Sequence, residues 1–162
     1  MLKGMLSLPY FVAKYLLFFE NNMSFSSLRS VIHTKLLTLT GSGQPLACVY
    51  PYHHLGVSGY PAVTFEPSSM EAQISTTSEN MREYTFDIVV SQELSLLSRD
   101  EALTTLCNAS DAIIDMLDSD YTLSGACDIS RALPAEFGEI VGEDGAILYA
   151  RLQLKCSILS HL

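Results

Sequence analysis

Met81-Arg-Glu-Tyr-Thr-Phe-Asp-Ile-Val-Val-Ser-Gln92 alternates in character through most of its length. Tyr84, Phe86, Ile88 and Val90 fall on one side, and Glu83, Thr85, Asp87 and Ser91 on the other. Successive side chains of a β-strand point to opposite faces, so this stretch sets one face on a core and leaves the other wet. Ala146–Leu159 has the same alternation over a longer run. Leu148, Ala150, Leu152, Leu154, Cys156 and Ile158 point inward, and Tyr149, Arg151, Gln153, Lys155 and Ser157 point outward. The wet faces of these strands differ in charge, Glu83 and Asp87 on the first against Arg151 and Lys155 on the second. Either these are cross-strand ion pairs within one sheet, or they are complementary faces of neighbouring subunits.

Outward from these strands the chain alternates between the two periodicities. Between them, Ser98-Arg-Asp-Glu101 forms a capping box, which opens a helix reaching about Asp118. Its expected apolar stripe is Leu103, Leu106, Cys107, Ile113, Ile114 and Leu117. Upstream, Leu28, Val31, Ile32, Leu36 and Leu39 recur at helical spacing, with N-cap candidates at Ser24 to Ser27 and a stop at Gly41-Ser-Gly43. Leu46–Tyr52 and Ala62–Glu66 read as strands joined by a turn-rich loop. Pro67–Asn80, polar and free of glycine, is either a mobile loop or a long hairpin extension. Cys127–Ala132 reads as a short strand, and Leu133–Gly145, with Pro134, Gly138, Gly142 and Gly145, as a loop. The order is helix, three strands, helix, two strands, without a repeat or an interdomain linker. Short connections argue for mostly antiparallel pairing. The expected fold is an α+β two-layer sandwich, a sheet of four to five strands with two helices packed on one face.

Composition narrows the class of function. The chain has 162 residues, 48% of them apolar and 17% charged, which excludes a disordered chain. Its formal net charge is −9, against the clustered Lys and Arg that phosphate neutralisation needs. Cys48, Cys107, Cys127 and Cys156 have no zinc or CxxC spacing, and the expectation is four reduced, mostly buried thiols. Residues 1–22 stand apart. Met5–Phe19 is apolar but broken by Pro9 and Lys14, too short and interrupted for a spanning helix. The segment is either an over-extended start, with Met23 opening a single domain over residues 23–162, or a helix packed on the domain or a partner, or a membrane signal.

Few residues suggest chemistry. His53 and His54 lack a third metal ligand at a defined spacing. Asp118-Ser-Asp120 resembles the start of a calcium loop, but Leu123 and Ile129 stand where the required glycine and glutamate would be. No nucleophile elbow and no Gly-rich phosphate loop occur. No catalytic, metal or cofactor-binding residue is therefore expected. The segment from Asp100 to Ile129 holds seven acids and no Lys or Arg. Asp111, Asp115 and Asp118, spaced by four and three, line one helix face. That stripe is a solvated face, the wall of an acidic channel, or a docking face for a basic partner.

Tyr60-Pro-Ala-Val-Thr-Phe-Glu-Pro67 followed by Arg82-Glu-Tyr-Thr-Phe-Asp-Ile-Val-Val90 carries a family likeness, supported by Glu101-Ala-Leu, Ala112-Ile-Ile-Asp-Met-Leu-Asp118 and the long final strand. Across nearly all of Met23–Leu162 the chain resembles the tail terminator, or tail-completion, proteins of long-tailed bacteriophages. Head-side neck proteins share this texture. The resemblance implies an α+β sandwich, assembly into a hexameric ring on the last ring of the tail tube, and a surface for head docking. It implies as partners further copies of the chain, the tail tube protein and head–tail connector proteins, with DNA passing through the ring and no membrane contact. The implied place is the head-proximal end of the tail, after assembly in the host cytoplasm. Asp111, Asp115 and Asp118 are candidates for the channel or docking face, and Pro67–Asn80 and Leu133–Gly145 for ring contacts and tube docking. Glu83, Asp87, Arg151 and Lys155 are candidate ion-pair positions, within the sheet or between subunits. The competing readings are a monomeric or dimeric adaptor domain and, with no motif in support, a small enzyme.

Overall fold

Ser24 begins the first element by closing a capping box with another serine. Its backbone N–H donates to Ser27 Oγ (2.9 Å), and Ser27 N–H donates to Ser24 Oγ (3.4 Å). Helix α1 (Phe25–Leu37) follows and buries Leu28, Ile32 and Leu36, while Val31 and Leu39 pack at the margin. The computed structural model describes residues 24–53, 56–76, 79–94, 97–142 and 145–161. The expectations for residues 1–22 lie outside the described residues.

Strand β1 (Cys48–Tyr50) is shorter than Leu46–Tyr52 and pairs in parallel with β2 (Ala62–Thr76). The described residues just before β2 lie back beside the start of β1. The return is tied down by Ala47 N–H to Pro61 O (2.8 Å), Cys48 Sγ to Gly59 O (3.2 Å) and Ser58 N–H to Tyr50 Oη (3.1 Å). β2 then continues far beyond Glu66, in antiparallel register with β3 (Glu79–Glu93). Of the two readings of Pro67–Asn80, the hairpin extension is the one observed. A register shift falls between Pro67 and Ser69, where proline lacks the N–H a regular ladder requires.

Helix α2 (Arg99–Ser119) opens with the expected box: Ser98 N–H donates to Glu101 Oε2 (3.0 Å) and Glu101 N–H to Ser98 Oγ (3.3 Å). Its buried stripe is Ala102, Leu106, Ala109, Ser110, Ile113 and Leu117. The expected stripe needs correction at Leu103, which is exposed, and at Cys107, which is half-buried, while Ile114 packs against the edge of the core. The spacing of 102, 106, 109, 113 and 117 places the contact line through two fully buried alanines. Ser110 is tolerated in that line because its Oγ donates to Leu106 O (2.8 Å).

The turn after α2 is organised by Asp120. Its carboxylate accepts from Lys35 Nζ (2.5 Å), Thr122 Oγ1 (3.0 Å), Ser124 N–H (2.7 Å) and Ser124 Oγ (3.0 Å). Leu123 and Ser124 both have positive φ there (50° and 60°), and the turn drives Leu123 fully into the core. The residue read against a calcium loop thus joins α1 to the end of α2. The bond from Lys35, with those from Thr122 and Ser124, holds the Asp120 carboxyl well below the ordinary carboxylate range. A depressed folded-state value means that the stabilisation is present above the unfolded value and is lost as pH falls. Asp120→Asn is expected to be less stable than wild type at neutral pH, with the difference shrinking below about pH 4. Urea unfolding at a series of pH values measures it; a constant difference across that range contradicts the assignment.

Strands β4 (Ile129–Gly142) and β5 (Gly145–His161) complete the sheet. Here the expected short strand and loop are overturned, since one strand runs from Ile129 through to Gly142 against β5. The proline that suggested a loop is absorbed in a register shift between Leu133 and Glu136. The strands lie in the order β1-β2-β3-β5-β4, all antiparallel except β1 with β2. The result is an α+β fold with two helices and a mostly antiparallel sheet. One hydrophobic cluster joins Leu28, Ile32 and Leu36 of α1 and Leu106 and Ile113 of α2 to Phe65, Phe86, Ile88, Leu152 and Leu154 of the sheet.

Candidate functional site

The sheet face turned away from that cluster carries the charged residues of β3 and β5. Register places Asp87 opposite Gln153 and Glu83 opposite Ser157, so each acid reaches its cation diagonally. Arg151 Nη2 donates to Asp87 Oδ2 (2.6 Å), Gln153 Nε2 donates to Asp87 Oδ1 (3.1 Å), and Lys155 Nζ donates to Glu83 Oε1 (2.6 Å). Burial pushes the Asp87 carboxyl up, but hydrogen bonds from Arg151, Gln153 and Ser68 outweigh it and the group sits below its ordinary value. Glu83, Asp87, Arg151 and Lys155 are therefore paired within one sheet.

Beside the Asp87–Arg151 pair the face hollows into a trough of about 450 Å³. Val89, Ile147 and Tyr149 are among its lining, with His53 and Tyr60 from the loop before β2, Ile140 from β4, and Glu66 among its polar groups. Burial, with Glu93 and Cys48 nearby, pushes the Tyr60 phenol up, so it stays protonated at neutral pH. Tyr149 stands opposite Gly138, and a Cβ at position 138 would collide with the end of the Tyr149 ring. Glycine is needed there for close approach rather than for a turn. Gly138→Ala is expected to swing the Tyr149 ring out of the trough while leaving the fold intact, because the displaced atoms end a side chain that can rotate. Near-ultraviolet circular dichroism should change while the far-ultraviolet spectrum does not; an unchanged aromatic signal contradicts the packing.

The other expected residues lie elsewhere. Asp111, Asp115 and Asp118 are exposed on α2, and none lines the trough. His53 reaches the trough wall, and His54 lies outside the described residues. Among the described residues no group of three or more His, Cys, Asp or Glu is placed to hold a metal, and no helix is long and apolar enough to cross a membrane. All four cysteines are free: Cys127 and Cys156 are buried side by side, and Cys48 and Cys107 are half-buried. The bond to Cys127 and burial push the Cys156 thiol up.

Both long hairpins carry apolar side chains into solvent. Ile74, 74% exposed, and Met70 lie on the β2 arm; Phe137, Ile140 and Val141, the last 75% exposed, lie on β4. Sequence patterning missed these positions because it reads Leu133–Gly145 as a loop and leaves Pro67–Asn80 open between a loop and a hairpin extension. No protein-family model matches the chain, and no curated protein matches it.

Proposed function

We propose that this chain is a structural virion protein that caps the tail tube of a long-tailed bacteriophage, ends tube polymerisation and offers the surface on which the head is joined. The observation that carries this reading is the pair of long sheet edges, β2 beyond β1 on one side and β4 on the other, each with apolar side chains in solvent. Monomeric domains usually cover or blunt such edges, whereas an assembling subunit uses them. The same layout supports a two-layer sandwich with the helices on one side of a five-stranded sheet. The working form is a hexameric ring of copies of this chain, contacting the tail tube protein below and connector proteins above. A net charge of −9 suits a channel through which DNA slides, since a negative wall repels phosphate and does not retain it. The chain binds no cofactor and catalyses nothing in this role.

The test is direct. Full-length protein is added to growing tail tubes, and the tubes are viewed by electron microscopy. Extra density at one end and an arrest of elongation are expected. Tubes of unchanged length with bare ends would overturn the reading.

A further inference from the structure

Three like-charge contacts sit at the margins of the wet face. Glu66 stands directly opposite Asp87, Glu71 opposite Glu83, and Arg131 opposite Lys155. Like charges directly across a ladder are unfavourable. In each contact the inner member is neutralised within the sheet, Asp87 by Arg151, Glu83 and Lys155 by one another. The outer member is exposed, and among the described residues no ion pair engages Glu66, Glu71 or Arg131. The sheet thus ends in unneutralised anions on the open edge of β2, while the open edge of β4 carries the unneutralised cation Arg131 and, further along, Glu136 beside the already paired Arg151.

We infer that the β4 edge of one copy adds to the β2 edge of the next, with Arg131 seated between Glu66 and Glu71. This rests on the ring reading and names the contact that would close it. Strand direction permits it. Each neighbouring pair from β2 through β3 and β5 to β4 is antiparallel, so β4 runs opposite to β2. Copies related by rotation therefore join these edges as an antiparallel ladder, continuing the sheet. Height permits it as well. Arg131 lies level with Lys155, Thr85 and Ser69, and Ser69 falls between Glu66 and Glu71 along β2. β1 covers β2 only at residues 62–64, which leaves this part of the edge open. Two-fold pairing of β2 on β2 brings only anions together, because β2 carries Glu66 and Glu71 and no Lys or Arg. A head-to-tail contact between unlike edges generates a closed ring when its rotation closes. The bulges at Pro67–Ser69 and Leu133–Glu136 interrupt the ladder locally, so the charges rather than an unbroken run of backbone bonds set the register of the contact.

The experiment is light scattering of the full chain over a concentration series, with Arg131→Glu, the pair Glu66→Lys and Glu71→Lys, and an equimolar mixture of the two proteins. Wild type is expected to rise to several times the single-chain mass. Each variant alone is expected to fall to the single-chain mass, since its altered edge meets an edge of like charge. The mixture is expected to regain the assembled mass, because each altered edge then finds an opposite partner; recovery also proves both variants folded. Wild type that stays at single-chain mass throughout, variants that assemble like wild type, or a mixture that does not recover would each overturn the edge contact. Tube capping, measured in parallel, separates the two ideas. A chain that caps tubes while ignoring charge reversal overturns the contact alone, and one that assembles through these edges but leaves tubes bare overturns the capping role alone.

Discussion

Phe86→Ala should destabilise the folded chain by about 3–5 kcal/mol, the range for removing a fully buried aromatic side chain and leaving a partly collapsed cavity. Phe86 has no exposed surface and sits mid-way along β3, between Pro67 of β2 and Leu154 of β5. The Phe25 ring of α1 meets it edge-on, with centroids 5.7 Å apart, and meets Tyr84 in the same way at 4.9 Å. One side chain therefore joins the sheet centre to the first turn of α1. For a domain of this size the loss corresponds to a fall in Tm of roughly 6–20 °C, out of a total stability of about 5–15 kcal/mol. Ile74→Ala, on the same sheet but 74% exposed, should stay within about 0.5 kcal/mol of wild type. Urea unfolding of the two variants decides the matter. Near-equal stabilities would mean that β3 is out of register by one residue, which exchanges its buried and wet faces.

Which side chains of β3 and β5 face the core was readable in the sequence because Met81–Gln92 and Ala146–Leu159 largely alternate, with Val89 and Ile147 the apolar residues on the wet side. The capping box of α2 was readable for a similar reason: Ser98 and Glu101 act over one turn and need nothing from the rest of the chain. The reading of β4 as a short strand and a loop fails on a proline and a glycine. Pro134 and Gly138 resemble a loop locally, yet one falls in a bulge and the other makes room for Tyr149, a residue distant in sequence. Leu103 was misplaced because a helix's hydrophobic stripe is centred by what it packs on, and here the centre falls on Ala102 and Ala109. The charges of the wet face divide along the same line. Their existence was plain from alternation, but whether Arg151 and Lys155 meet Asp87 and Glu83 or another subunit depends on β3 and β5 being neighbours. That pairing accounts for the inner charges and leaves Glu66, Glu71 and Arg131 at the sheet margins, which no local pattern distinguishes from any solvated residue.

The triple change Asp111→Asn, Asp115→Asn and Asp118→Asn should raise stability, by about 1 kcal/mol. Two unfavourable spacings, 111 with 115 and 115 with 118, each cost roughly 0.2–0.5 kcal/mol. Asp118 also stands in the last turn of α2, which has no basic residue to offset it, and an anion there opposes the helix dipole by about 0.3–1 kcal/mol before screening. All three carboxylates are exposed, so the gain should shrink as salt is raised and the repulsion is screened. Urea unfolding at neutral pH, in low and high salt, measures it; a loss of stability would show that these carboxylates have partners that strengthen the fold. The variant then serves as a clean probe of function. In particles assembled with it, capping or DNA release is expected to be impaired if the stripe borders the channel or receives a basic partner. Because the fold itself is strengthened, such a defect cannot be assigned to unfolding. Wild-type behaviour in both assays would reduce the stripe to a solvated face, and the acidity of the chain would then act through its net charge rather than through this helix.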